Sequence, residues 1–356
     1  MNMFFDARWI RTDFHDGISR YTAGLVQGME NNNFPVTYLL HSPEQLKMLP
    51  PGIKYVMVNN PVSIKEFFIA FKLNKLGADV VFSPMQVMGF VGRRYKLILT
   101  LQDIIYYRHP KPPTFLPQYI RIIWRLFHIT KWPQRLLLNR ADFISTVSKT
   151  SKKFINEFDL TNLEIGVVYN ASSLNLSQKK TSQRTKDIIY MGSFMPYKNV
   201  EVLIKGMAYL PHDFTLHLLS KISVERKIEL EKLIKPGINV RFHNGVSDTN
   251  YIKILQNAFC LATGSKEEGF GLPIIEAQQL GTPVICSEME IFREVAGKGA
   301  LFFKSDSPKQ FAALVLKLND SKLTSKLIKN GFEQAAKFSW SKSAKTLYSY
   351  CEKLYR

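Results

Sequence analysis

The chain has 356 residues, 46% of them hydrophobic, which is more than one ordinary core organises and suits two domains of usual size. It carries 48 Lys and Arg against 29 Asp and Glu, a formal charge of +19 that calls for an anionic partner: nucleic acid, membrane surface or phosphorylated substrate. Cys260, Cys286 and Cys351 form no CxxC pair, which excludes a zinc ribbon or disulfide framework, and with no signal-peptide pattern and no apolar run of ~18 residues the expectation is a cytoplasmic protein, soluble or peripheral.

Residues 3–5 open a first strand, and a polar loop ending in His15-Asp16-Gly17 leads into a helix whose Ile18, Tyr21, Leu25 and Met29 recur at helical spacing. Residues 35–40 and 55–58 read as short strands, 63–76 as an amphipathic helix, and 79–84 and 96–101 as strands apolar on both faces. Such strands alternating with helices form a parallel sheet covered on both sides. Residues 114–138 are helical in pattern with a break at Trp132-Pro133. No acidic residue falls between Asp103 and Asp142, whereas Arg108, Lys111, Arg121, Arg125, Lys131, Arg135 and Arg140 all do. A strand at 143–148, a helix at 149–158 and a stretch at 167–171 close the unit, and the polar composition of 172–186 marks a linker. A second alternation follows, with strands at 187–191, 215–219, 239–242, 259–262, 284–286 and 301–303. Its helices fall near 199–210, 224–234, 248–258, 272–280 and 290–296. The fold class predicted is α/β, two Rossmann-like domains at 1–172 and 173–338, with a helical end after Ser307-Pro308.

The densest signal is 264–286, Gly-Ser-Lys-Glu-Glu-Gly-Phe-Gly-Leu-Pro-Ile-Ile-Glu-Ala-Gln-Gln-Leu-Gly-Thr-Pro-Val-Ile-Cys. A buried strand runs into a glycine-rich turn and then a helix, with Pro273 in its first turn and Gly281 just past its end. The free end of that helix offers unpaired N–H groups and about half a positive charge, and Gly269 and Gly271 let a phosphate approach the backbone. Glu268 in the turn and Glu276, expected in the first helical turn, would repel phosphate but accept hydrogen bonds from vicinal hydroxyls. Phosphate at one end and polyol at two others describe a nucleotide sugar. The alternative is that the glycines merely punctuate an α/β domain and the carboxylates merely complement the helix dipole.

The longer pattern, Glu268-Gly-Phe-Gly-Leu-Pro-x-x-Glu276-Ala followed by Gly-Thr-Pro-Val, resembles the donor-site signature of glycosyltransferase family 4. With two Rossmann-like halves, the resemblance covers nearly the whole chain. It implies the glycosyltransferase B architecture: two domains facing across a cleft, the first binding acceptor and the second the nucleotide-sugar donor. The terminal helix, about 339–356, is then expected to cross back onto the first domain. The donor contacts it implies are Gly17, Gly192, Ser193, Lys198, Val246, Glu268, Gly269, Phe270, Gly271, Leu272 and Glu276. Lys198 matches the family's diphosphate lysine, while Ser193 and Tyr197 stand where arginine is common. The turn at 244–247, Asn-Gly-Val-Ser, resembles the one that holds the nucleobase. Lys198, Glu268, Gln102 and Asp103 are the catalytic candidates. Gln102 stands where many members have histidine, so a hydrogen bond can be donated there but no proton accepted. His15, Asp16, Arg20 and His109 are expected on the acceptor side, with His15 and His109 equally readable as surface or structural histidines.

The activity implied is retaining transfer of a hexose from a nucleoside diphosphate sugar to a hydroxyl of a glycan or lipid-linked acceptor, in the synthesis of a cell-surface polysaccharide such as lipopolysaccharide. GDP-mannose is the donor favoured, with a UDP-hexose next. No cofactor and no metal is expected, because Lys198 and the helix end supply positive charge and no Asp-x-Asp occupies a strand-end loop. Segment 114–138, with aromatic residues among its cations, is expected either to dock on the anionic inner face of the cell membrane or to pack as an ordinary helix on the sheet. Two other readings share the fold, a sugar-nucleotide epimerase and a catalytically silent sugar-binding relative. A nucleic-acid partner is not expected, since no aromatic RNA-binding pattern or recognition-helix module is visible.

Overall fold

Seven short strands of the first unit pair in parallel: β1 Met3–Asp6, β2 Val36–Leu40, β3 Tyr55–Met57, β4 Val80–Ser83, β5 Lys96–Thr100, β6 Phe143–Thr146 and β7 Ile165–Val167. Their order is β3-β2-β1-β4-β5-β6-β7, with Phe4 in register between Thr37 and Val81. Successive strand residues point to opposite faces, and both faces are covered. On one, Ile69, Leu73, Leu138 and Ile155 pack against Phe4, Val81, Leu99 and Ile144. On the other, Phe143 meets Tyr350 of the last helix, ring centroids 4.9 Å apart. The computed structural model describes residues 1–12, 17–108, 118–174 and 184–356, which divide into two units, Met1–Ser173 with Phe338–Arg356 and Leu174–Lys337.

The terminal helix, Trp340–Tyr355, belongs to the first unit because two glycines of the helix Gly17–Asn31 make room for it. A Cβ on Gly24 would lie 2.1 Å from the Trp340 ring, and one on Gly28 would lie 2.2 Å from the Trp340 carbonyl. The Trp340 indole donates to Ser173 Oγ at 2.8 Å, Ser343 Oγ donates to the Tyr169 carbonyl at 2.7 Å, and Tyr348 stacks on Phe34 at 4.0 Å.

Six parallel strands make the second sheet: β8 Asp187–Tyr190, β9 Thr215–Leu218, β10 Asn239–Phe242, β11 Cys260–Thr263, β12 Val284–Ser287 and β13 Ala300–Phe303, in the order β10-β9-β8-β11-β12-β13. Ser223, Ser247, Ser307 and Asp320 accept hydrogen bonds from the first turns of the helices they precede, satisfying amides that have no partner within the helix. In both sheets the strand order reverses beside the first strand, between β1 and β4 and between β8 and β11. The crevice at the carboxyl ends of strands at such a reversal is where open α/β sheets bind ligands.

Three local expectations are corrected. Segment 63–76 opens as a 3-10 turn, Ile64–Phe68, before the α-helix Ile69–Lys75, because Glu66 turns inward to Arg8. Of segment 114–138, whose first four residues lie outside the described ones, residues 118–138 form two helices, Gln118–Ile129 and Trp132–Leu138. The break precedes Trp132: Pro133 lies in the first turn of the second helix, where its missing N–H is not needed, so it starts a helix and does not interrupt one. The last strand of the first sheet, Ile165–Val167, begins before the stretch 167–171 with which the sequence reading closed the unit. Its Gly166 is required by close packing, since a Cβ there would sit 2.5 Å from the Tyr350 ring, and a glycine hides a strand from propensity. Among the described residues no helix is long and apolar enough to cross a membrane.

Candidate functional site

In the second unit β8 ends at Tyr190, whose buried phenol has its pKa pushed well up and so remains a donor, to the Ser193 carbonyl at 2.6 Å. The amide of Gly192 donates to Ser220 Oγ at 3.1 Å. The chain then makes a 3-10 turn, Pro196–Lys198, and passes through Asn199 at φ +49° into the helix Val200–Met207. The Asn199 amide donates to the carbonyls of Gly264 at 2.9 Å and Ser305 at 2.7 Å, joining the loops that follow β8, β11 and β13.

The loop after β11 closes on that turn. A Cβ on Gly264 would lie 2.4 Å from Val202, so only glycine admits the contact, and the Lys266 amide donates to the Tyr197 carbonyl at 2.7 Å. Ser287 Oγ holds the Ser265 carbonyl from the next strand. The result is that the Lys198 ammonium meets the Glu268 carboxylate, the two side chains being 15% and 18% exposed. Gly269 and Phe270, which follow Glu268, are buried. Gly271, at φ +95°, precedes the helix Leu272–Gln279 with Pro273 in its first turn, and a Cβ there would be both strained and 2.9 Å from Phe292.

Glu276 is placed differently from the sequence expectation. It is the fifth residue of the helix, beyond the first turn, because the helix begins at Leu272. It is 4% exposed and accepts a hydrogen bond from the Tyr251 hydroxyl at 2.9 Å. Tyr251 lies on the helix Asp248–Asn257, whose cap Ser247 ends the turn at 244–247. In that turn Asn244 and Gly245 adopt φ +54° and +104°, the Gly245 amide donates to the Leu219 carbonyl at 2.9 Å, and Val246 is half-buried. Tyr251 carries no motif, and only its contact with Glu276 marks it as part of the site.

The first unit holds a constellation that the sequence reading missed at the reversal of its own strand order. Asp6 and Arg8 are buried, with Arg8 donating to Asp6 at 2.7 and 3.0 Å, to Glu66 at 2.6 and 3.0 Å and to the Asn59 carbonyl at 3.2 Å. Ser83 Oγ, at the end of β4, donates to Asp6 at 3.2 Å. Burial opposes the Arg8 charge, but the two carboxylates outweigh it and its pKa is raised. These residues are far apart in sequence, and the only signal was a pair of charges at the end of an apolar strand. The carbonyls of Ala7, Arg8 and Ile10 all accept from Gln45 Nε2, which fixes the loop leading towards Gly17. Gly17 opens its helix with open space around it, and Arg20 is half-buried on the next turn.

Gln102 and Asp103 follow β5. The Gln102 amide reaches the Pro84 carbonyl at 3.5 Å, the outer limit of a hydrogen bond, and Asp103 Oδ1 accepts the Ile105 amide at 3.0 Å, capping the short helix Ile105–Arg108. His15, Asp16 and His109 lie outside the described residues. The second unit therefore gathers Gly192, Ser193, Lys198 and 268–272 at one end of its sheet, with Val246 and Glu276 connected through Tyr251. A cation, a carboxylate and a free helix end meet there, a combination able to bind phosphate and hydroxyl groups side by side.

Residues 173–334 match the family described as "Glycosyl transferases group 1". Over 187 residues the chain is 30% identical to the O-antigen chain mannosyltransferase RfbU of Salmonella typhimurium, covering 51% of this chain and 52% of that one. The match thus spans about half of that relative's length. The fold of this chain is that of sucrose-phosphate synthase from Thermosynechococcus elongatus, with TM-score 0.75, 17% identity and 99% of each chain covered. It is also that of Anabaena Alr3699/HepE in complex with UDP, with TM-score 0.74, 16% identity, and 99% of this chain and 100% of that one covered.

Proposed function

Since residues 173–334 match the glycosyl transferases group 1 family, we propose that the chain transfers a hexose, mannose first, from a nucleoside diphosphate sugar to a hydroxyl of a glycan or lipid-linked acceptor. The carrying observation is the pairing of Lys198 with Glu268 beside the free end of the helix Leu272–Gln279, at the strand-order reversal of the second sheet. Similarity to a mannosyltransferase of O-antigen synthesis supports mannose and a surface polysaccharide, and the UDP held by a protein of the same fold supports a nucleoside diphosphate.

In this reading the donor's diphosphate competes with Glu268 for the Lys198 ammonium and takes the amides at the helix end. Glu268, released, accepts hydrogen bonds from the hexose hydroxyls, and Glu276, oriented by Tyr251, takes the ribose diol. As the bond between the anomeric carbon and the phosphate oxygen breaks, the charge growing on the leaving diphosphate is stabilised by Lys198, and no metal is needed. The acceptor oxygen bonds to the same carbon, and its proton passes to the departing phosphate oxygen, with retention of configuration. Gln102, whose amide has no basic site, positions a reacting group, and Asp103 serves its helix as a cap.

A melting-shift panel of GDP-mannose, UDP-glucose and UDP-galactose, with and without EDTA, tests the reading. A true donor at about 100 times its dissociation constant adds about 2.7 kcal/mol of stability, and EDTA leaves the shift unchanged. If no nucleoside diphosphate sugar shifts the melting, the donor assignment fails. If EDTA abolishes the shift, metal independence fails.

A further inference from the structure

The described surface of the first unit carries an apolar patch that the transferase reading does not use. Val62, Ile64, Phe67, Phe68, Phe71 and Val91 are between 47% and 81% exposed. They form one surface, since a Cβ on Gly92 would lie 2.7 Å from the Phe71 ring, Asn74 Nδ2 donates to the Gly92 carbonyl at 2.8 Å, and Lys72 Nζ donates to the Met57 carbonyl at 2.7 Å. Monomeric proteins seldom leave so large a contiguous apolar area to water without a partner.

Charge identifies the partner. Between Lys54 and Lys96 the chain has seven basic residues and two acidic ones. Both acids are engaged, Glu66 with the buried Arg8 and Asp79 with the amide of Asn2 at 2.6 Å. Lys65, Lys72, Lys75 and Arg94 are exposed and make no ion pair among the described residues. A second copy of a chain with charge +19 would bring like charges together, whereas an anionic bilayer accepts the aromatic side chains at its interface and the cations at its headgroups.

We propose that the surface formed by 62–71 and 87–94 docks the first unit on a membrane containing anionic lipid, with Ile64, Phe67 and Phe68 as the inserted side chains. The 3-10 turn that presents them is anchored from beneath through Glu66 to Arg8, and a Cβ on Gly89 would lie 1.8 Å from the Glu66 carbonyl, so the loop and the turn are fitted to each other. The surface continues towards the helices predicted to carry membrane contact. The Arg140 guanidinium lies 5.4 Å above the Phe90 ring, and Gln134 donates to Gln86 at 3.3 Å. In that region Ile122, Leu126 and Trp132 are exposed, but Arg135 is paired with Asp159 and Asn162 and is not available to lipid. The principal docking element is therefore 62–71, and the helices extend it.

Co-sedimentation of the whole chain with phosphatidylcholine vesicles, with and without phosphatidylglycerol, tests this without donor or acceptor, so it stands apart from the transferase reading. The wild type is expected to pellet with anionic vesicles and weakly with neutral ones. Ile64→Ser, Phe67→Ser, Phe68→Ser together should lower anionic-vesicle partitioning by more than about tenfold, and Lys65→Gln with Lys75→Gln by about fivefold per charge. Because all five positions are exposed, circular dichroism and melting temperature should match the wild type. Wild-type partitioning in the folded triple variant overturns the proposal. So does a wild-type dimer in light scattering that the triple variant turns into monomer, which would make the patch a self-association face. Loss of binding on Arg121→Glu with Arg125→Glu while the triple variant binds normally would move the docking site to the helices and equally overturn it.

Discussion

Arg8 and Lys198 occupy corresponding places, each in the loop after the first strand of its sheet, where the strand order reverses. Arg8 is enclosed and bonded to two carboxylates and a carbonyl, with Ser83 completing Asp6. Lys198 keeps part of its surface in water and meets Glu268. The first arrangement is saturated and leaves no group for a ligand. The second holds a cation and a carboxylate that a phosphate and a hydroxyl can separate. One topology thus provides a crevice in both sheets, and the residues decide whether it is filled by the protein or kept for a ligand.

The sharpest way to break this contrast is Arg8→Ala. It leaves Asp6 and Glu66 without their cation inside the first unit, and a buried pair stripped of one partner loses about 3–5 kcal/mol. Guanidinium unfolding should show the first unit melting early, while nucleotide added to the second unit still raises that unit's stability. Lys198→Ala should do the reverse. Its single ion pair with Glu268 keeps some access to water and should cost less stability than the enclosed Arg8 network, but turnover should fall about 100- to 1000-fold if the lysine stabilises the leaving diphosphate. Steady-state kinetics and unfolding on the same preparation separate the two effects.

Gly271→Ala refines the picture of the ligand end. A side chain at φ +95° costs about 1–2 kcal/mol, and the contact with Phe292 must also give way, so both melting temperature and donor affinity should drop. Tyr251→Phe is the mildest change. It removes the hydroxyl that orients Glu276, worth about 1 kcal/mol, and should raise the nucleotide dissociation constant about fivefold with little effect on turnover at saturating donor.

How much of this was legible in sequence follows the same division. The site of the second unit is written in short segments, 191–199, 244–247 and 264–281, because glycine, proline and capping residues act within a few positions of themselves. Every strand of both sheets could be placed from apolar runs except the last of the first sheet, which Gly166 concealed. The Asp6–Arg8–Glu66 constellation could not be read, since its members meet only when β1 and β4 pair and the 3-10 turn folds over them. For the same reason the roles of Gly24 and Gly28 were hidden: their function is the approach of Trp340, more than 300 positions away by the numbering. The helix start at Leu272 was legible, and Glu276 is its fifth residue, past the first turn; what the sequence did not show is that the carboxylate is buried and held by the Tyr251 hydroxyl, a contact between two helices.

Calorimetric titration of GDP into the wild type, Glu276→Ala and Glu268→Ala tests the central claim, that the second unit's crevice holds a nucleoside diphosphate between Lys198 and Glu276. The account predicts that Glu276→Ala weakens GDP by about tenfold or more. Glu268→Ala should bind GDP as tightly as the wild type or more tightly, because it frees Lys198 from its carboxylate. Wild-type affinity in Glu276→Ala, together with loss of affinity in Glu268→Ala, would contradict it.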